Sequence, residues 1–206
     1  VLHPNISPMT FQQEGWHYEV EELESPLTYK GVVFNEMKGA YSSPERVQEQ
    51  AILTALFPDH TYGLSSGGAP EHIPDLSYEQ FKTFHETWYH PSNAFIFFSG
   101  NDDPEVRLEL MEGYLKPYQA IKVESTIAPL KTLKDPVKVE VPYDAGQDAS
   151  DAKKSYFTIN WVLPDHLDPV LLFSLDVLAH ILIGTPASPL RKALIDSGLG
   201  DDLTGL

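Results

Sequence analysis

The sequence contains no cysteine, which removes disulfides, thiolate nucleophiles and a cysteine-ligated structural zinc together. Such a chain is compatible with a reducing compartment. Positive charge is also scarce: 14 Lys and Arg stand against 30 Asp and Glu, a net charge of −16. No nucleic-acid partner is expected, because phosphate binding needs a basic stripe. A negative field favours cationic peptides, although many proteins are acidic for solubility alone. Long hydrophobic runs are missing too. The longest, Val170 to Gly184, carries Ser174, Asp176 and His180 and is too short and too polar to span a bilayer, so no membrane partner is expected. None of the eight histidines (His3, His17, His60, His72, His85, His90, His166 and His180) opens an H-x-x-E-H or H-E-x-x-H motif. The chain opens on Val1 and stops at Leu206 without a visible end to its last element, and it is expected to be part of something larger.

What is present is a carboxylate in an apolar helical frame. In the run Lys30 to Tyr41, Glu36 lies one turn after Val32 and between Val33 and Gly39 on the three-to-four residue repeat. A helix through this segment turns it toward the face of the valines. If that face points inward, an unpaired carboxylate costs several kcal/mol unless a cation, a metal or several donors meet it. Spacing alone leaves open a skewed helix in which Glu36 looks at water.

Other apparent motifs are weaker. His85-Glu86-Thr87-Trp88-Tyr89-His90 is one residue too long for a metalloprotease helix. Five residues along a helix rotate about 140°, so the two imidazoles diverge where a shared zinc needs them on one face. His90 also precedes Pro91, where the helix must stop. Ser65-Ser66-Gly67-Gly68 lacks the Lys-Ser/Thr of a phosphate loop and reads as a tight, permissive turn that lets the chain pass close to another element. No serine has a His and Asp series that would make it a nucleophile.

The organisation reads as α+β. An extended aromatic piece around Trp16-His17-Tyr18 precedes a helix expected from Ser25-Pro26 to Ala40. A second helix starts at Ser43-Pro44 and ends at Pro58. After a Gly, Ser and Pro-rich loop from Tyr62 to Pro74, Ser77 caps a helix that stops near Pro91. The continuous apolar run Asn93 to Gly100 is expected to be a strand buried on both faces, and Pro104 to Tyr118 a helix. Residues 123–136 read as a linker. Strands are expected at Val137 to Val141 and Ser155 to Leu163, separated by a polar loop from Asp144 to Lys154. Helices follow at Pro169 to Ile183 and Ser188 to Ser197.

An ordered series of short blocks points to a family. Phe34-Asn35-Glu36-Met37-Lys38-Gly39 is followed by Leu56-Phe57-Pro58-Asp59-His60-Thr61-Tyr62, then Ser66-Gly67-Gly68 with Pro70. Phe84-His85, Tyr89-His90-Pro91-Ser92-Asn93-Ala94 and Ser188-Pro189-Leu190-Arg191-Lys192 come next. In residue type, order and spacing the series resembles the presequence-protease branch of the pitrilysin/insulinase zinc metallopeptidases, over nearly the whole chain. The resemblance implies α/β units of the pitrilysin type. Residues 1–122 would be the C-terminal part of the first, zinc-site unit, and residues 137–206 the N-terminal part of the second. It implies zinc as cofactor and Glu36 as the metal ligand distal to an H-x-x-E-H helix that this chain lacks. Asn35 and Lys38 flank Glu36 and are candidates to orient it. No catalytic residue is expected within the chain. The implied partners are a peptide substrate and the remaining parts of the same polypeptide. The alternative is a non-catalytic structural or peptide-binding member of the same fold.

Overall fold

The computed structural model describes residues 1–131, 133–146, 154–163, 168–200 and 203. Residues 147–153 of the expected polar loop, and His166, lie outside the described residues. The chain divides into two units, Val1–Val139 and Glu140–Leu206.

Most helices begin on a capping residue followed by proline, which supplies an acceptor for the free amides and a preset φ at the first helical position. In the first unit, α1 (Pro8–Thr10) follows Ser7 and runs into a π-helical turn, Phe11–Gly15. Helix α3 (Pro44–Leu56) follows Ser43, and α5 (Pro104–Leu115) follows Asp103, whose carboxylate accepts from Glu105 N at 2.9 Å. Helix α4 (Tyr78–Trp88) uses a reciprocal cap instead. Ser77 Oγ accepts from Gln80 N at 3.2 Å, and Ser77 N donates to Gln80 Oε1 at 2.8 Å. In the second unit α6 (Pro169–Ile183) follows Asp168 and α7 (Pro189–Asp196) follows Ser188. These two helices pack together around Ser188, which is buried. Its hydroxyl accepts from Thr185 N at 3.0 Å and donates to His180 O at 3.3 Å.

Ser25-Pro26 carries the same signal and starts no helix, a correction to the expected element. Thr28–Lys30 (β2) instead pairs antiparallel with His17–Glu19 (β1), placing Tyr18 opposite Tyr29, and α2 begins only at Val32 and runs to Ala40. Pairing wins because it brings Trp16, Tyr18 and Tyr29 into mutual ring contact at 5.2 to 5.9 Å, and Gly31, with φ 145°, breaks any helical path through that point.

The two-stranded β1–β2 sheet is the only one among the described residues. Asn93 to Gly100 is therefore not the doubly buried strand expected: Pro91–Asn93 is a single turn of 3-10 helix, and Phe95 and Phe97 are exposed. Val137 to Val141 and Ser155 to Leu163 likewise form no strand. A strand is made by its ladder partner, and none of these segments has one here.

The core is small. Phe11 and Phe34 are the buried hydrophobic side chains among the described residues. The accessible surface is 17169 Å² for a mass of 23.1 kDa. A folded protein of that mass exposes about 9,700 Å², and roughly a fifth more if divided into two separate bodies. Helix α6 is apolar around most of its circumference, with Val170, Phe173 and Ile181 all exposed. Helices of that composition are normally covered on every side. No helix among the described residues is long and apolar enough to cross a membrane.

Candidate metal site

Helix α2 is seated by two glycines at its start. A Cβ on Gly31 would stand 2.2 Å from Gly15 O and 2.7 Å from Trp16 Cα, so only glycine lets the strand-to-helix junction cross the end of the π-helical turn. Three residues on, Phe34 is buried against Tyr29, with ring centroids 5.8 Å apart, and Trp16 Nε1 donates to Leu76 O at 2.9 Å behind that aromatic layer. The Tyr18 phenol, by hydrogen bonding and by its charge, pushes the Tyr29 phenol above its ordinary value, with smaller contributions from desolvation and Asp75. Tyr29 is therefore a neutral packing residue near neutral pH. The helix closes at Tyr41, with Ser42 Oγ donating to Gly39 O at 2.6 Å.

Phe34 is buried and Met37 half-buried, whereas Val32, Val33 and Glu36 of α2 are exposed. Helical spacing does put the carboxylate with the valines, but that side is open: Val32 is 52% exposed, Val33 38%, and Glu36 is exposed as well. Of the two orientations that the spacing leaves open, this chain shows the one in which Glu36 faces water. Phe34 and Met37 are the residues that pack, and the buried-charge cost does not arise. Among the described residues Glu36 has no hydrogen-bond or ion-pair partner. Asn35 and Lys38 are exposed, and their side chains make no hydrogen bond to Glu36.

No group of three or more His, Asp or Glu side chains among the described residues is arranged to hold a metal ion. His85 and His90 are spent elsewhere. His85 stacks on Tyr89 at 4.6 Å, and its Nε2 is 3.1 Å from Val1 O. His90 Nδ1 accepts from Ser92 N at 3.1 Å, capping the Pro91–Asn93 turn, while its ring meets Tyr118 edge-on at 5.1 Å. The His85→Gln and His90→Gln variants are accordingly expected to leave metal content unchanged in elemental analysis of the purified protein; loss of metal from either would reassign the site.

The Ser65-Ser66-Gly67-Gly68 loop lies against α2. A Cβ on Gly67 would stand 2.4 Å from Met37 Sδ. From sequence this loop is a permissive turn with no sign of the element it passes, and the expected helix from Ser25-Pro26 to Ala40 includes Gly31. Both contacts join segments far apart in the chain, and the only local signal for Gly31 is its place after the strand-like Thr28-Tyr29-Lys30.

Residues 75–205 match the family model described as the Peptidase M16 inactive domain. Presequence protease 1, chloroplastic/mitochondrial, of Arabidopsis thaliana is 47% identical over 94% of this chain. Protein HypA of Clostridium perfringens is 44% identical over 100% of it, and the mitochondrial presequence protease of Mus musculus 42% over 98%. The matched stretches are 18%, 21% and 20% of those proteins, so the chain spans about a fifth of the length of the curated relatives it matches. Glu36 precedes the span of the family model and falls within the HypA match, which covers the whole chain.

Proposed function

This chain belongs to the M16 peptidase family, on its presequence-protease branch, and from that premise we propose that it is one part of a zinc-dependent oligopeptidase. The enzyme would degrade unstructured peptides, such as cleaved presequences, inside a closed chamber. In this reading residues 1–122 complete the first pitrilysin-type unit, residues 123–136 connect, and residues 137–206 open the second. The observation that supports the site is the exposed carboxylate of Glu36, unpartnered among the described residues, beside two exposed valines on α2. Such a group is ready to meet something from outside the described residues.

Among the described residues no group of three or more His, Asp or Glu is arranged to hold a metal ion, whereas a catalytic zinc normally takes three protein ligands. Glu36 fits the role of one anionic oxygen ligand, and the others would come from the remaining parts of the same polypeptide. Zinc, when bound in such a site, polarises a peptide carbonyl and activates water. The same remaining parts would cover the apolar surface that leaves this chain with 17169 Å² exposed. No catalytic acid or base is assigned here.

A second reading, a non-catalytic structural or peptide-binding member of the fold, draws support from the match of residues 75–205 to an inactive domain. Hydrolysis of a quenched, unstructured peptide by the full-length protein separates the two. The first reading expects turnover that a chelator abolishes and added zinc restores. Absence of turnover in a folded, zinc-supplemented protein would leave the second.

Substrate preference follows from charge. If the acidity of this chain, net −16, lies on the chamber wall, basic peptides are expected to show a higher kcat/KM than matched neutral ones at low salt. The advantage should fade above about 0.15 M, where the screening length is roughly 8 Å. A preference indifferent to salt would remove the electrostatic argument and leave the peptidase reading standing.

A further inference from the structure

We propose that Gly67 is a positioning residue for Glu36, acting through Met37. The inference rests on the reading of Glu36 as a metal ligand. The loop that carries Gly67 is fixed at both ends. At its start Gln50 Nε2 and Thr54 Oγ1, both on α3, donate to Gly63 O at 2.9 and 3.3 Å, and Arg46 Nη2 reaches Ser65 Oγ at 3.5 Å. Gly63 itself lies so close to the end of α3 that a Cβ would stand 2.4 Å from Phe57 O. At its far side Gly68 takes φ 87°, and a Cβ there would meet Ile73 Cγ1 at 3.0 Å.

Between these anchors Gly67 approaches α2. A Cβ would stand 2.4 Å from Met37 Sδ, 2.9 Å from its Cε and 3.5 Å from its Cγ. Phe34 and Met37 are three residues apart on one side of α2 and are the two side chains that seat it, one against Tyr29 and the other under the loop. This pair, together with the Gly31 junction on Gly15, holds the rotation of α2 about its axis, and Glu36 turns with it. At a radius of about 6 Å from the helix axis, a 10° rotation moves a carboxylate about 1 Å. Metal–ligand distances tolerate about 0.2 Å.

Alanine at position 67 would meet only the movable end of the methionine, and Met37 would swing aside. Valine would also crowd its Cγ and force the helix to turn. In the full-length protein Gly67→Val is expected to weaken zinc about tenfold, measured by competition with a chromogenic chelator, with kcat lowered and KM little changed. Adding Met37→Ala removes the crowded atoms and should return zinc affinity to within about twofold of the parent. Hydrogen exchange over Val32–Ala40 should rise in the single variant and recover in the double. Unaltered zinc affinity in Gly67→Val, or failure of Met37→Ala to restore it, overturns the proposal. A Gly67→Val protein that folds only when Met37 is also alanine, or in neither background, overturns it, because the contact then supports the fold as a whole. If Glu36→Gln keeps its zinc, the failure belongs to the reading beneath and not to the contact.

Discussion

The Glu36→Gln variant of the full-length protein is expected to lose about a hundredfold or more in kcat/KM for an unstructured peptide, and to lose most of its metal on dialysis. The amide keeps the shape of the side chain but carries no charge and is a poor zinc ligand. With metal removed from both proteins, stability should hardly change, because Glu36 is exposed and has no hydrogen-bond or ion-pair partner among the described residues; exposed substitutions of this kind stay within about 0.5 kcal/mol. Activity and metal falling together while thermal unfolding of the metal-free proteins stays put is the expected signature. A parallel loss of stability would mean that Glu36 supports the fold instead.

The Gly31→Ala variant should show the opposite pattern, with fold and function failing together. The residue has φ 145°, a region where a Cβ is strained by about 1–3 kcal/mol, and that Cβ would stand 2.2 Å from Gly15 O. Every atom that this Cβ would meet, Gly15 O and C and Trp16 Cα, belongs to backbone, so no side chain can move aside. Either β2 leaves β1 or α2 leaves the π-helical turn. A destabilisation of more than about 3 kcal/mol is expected in denaturant unfolding, together with lost metal. A near-neutral result would show that the junction between β2 and α2 relaxes easily and does not hold the helix.

The parts of the fold that were legible in the sequence are those written locally. Ser43-Pro44, Asp103-Pro104, Asp168-Pro169 and Ser188-Pro189 each start a helix, because the capping acceptor and the proline ring act within one turn. Ser25-Pro26 misled for a non-local reason: the pairing of Tyr18 with Tyr29 outweighs a cap. The runs at Asn93 to Gly100 and Ser155 to Leu163 have strand composition, but composition supplies no ladder partner. At the candidate site, the shared side of Val32, Val33 and Glu36 follows from helical spacing, whereas its exposure depends on what covers α2. The seats of that helix, Gly31 on Gly15 and Gly67 on Met37, were not legible, since a close approach between distant segments leaves no periodic trace.

The most direct test of the account is the zinc content of this 206-residue chain and of the full-length protein, purified alike and dialysed together. The account predicts about one equivalent in the full-length protein and almost none in the chain alone, because one carboxylate supplies a single ligand where three are normally needed. Stoichiometric zinc in the isolated chain, lost on Glu36→Gln, would contradict it.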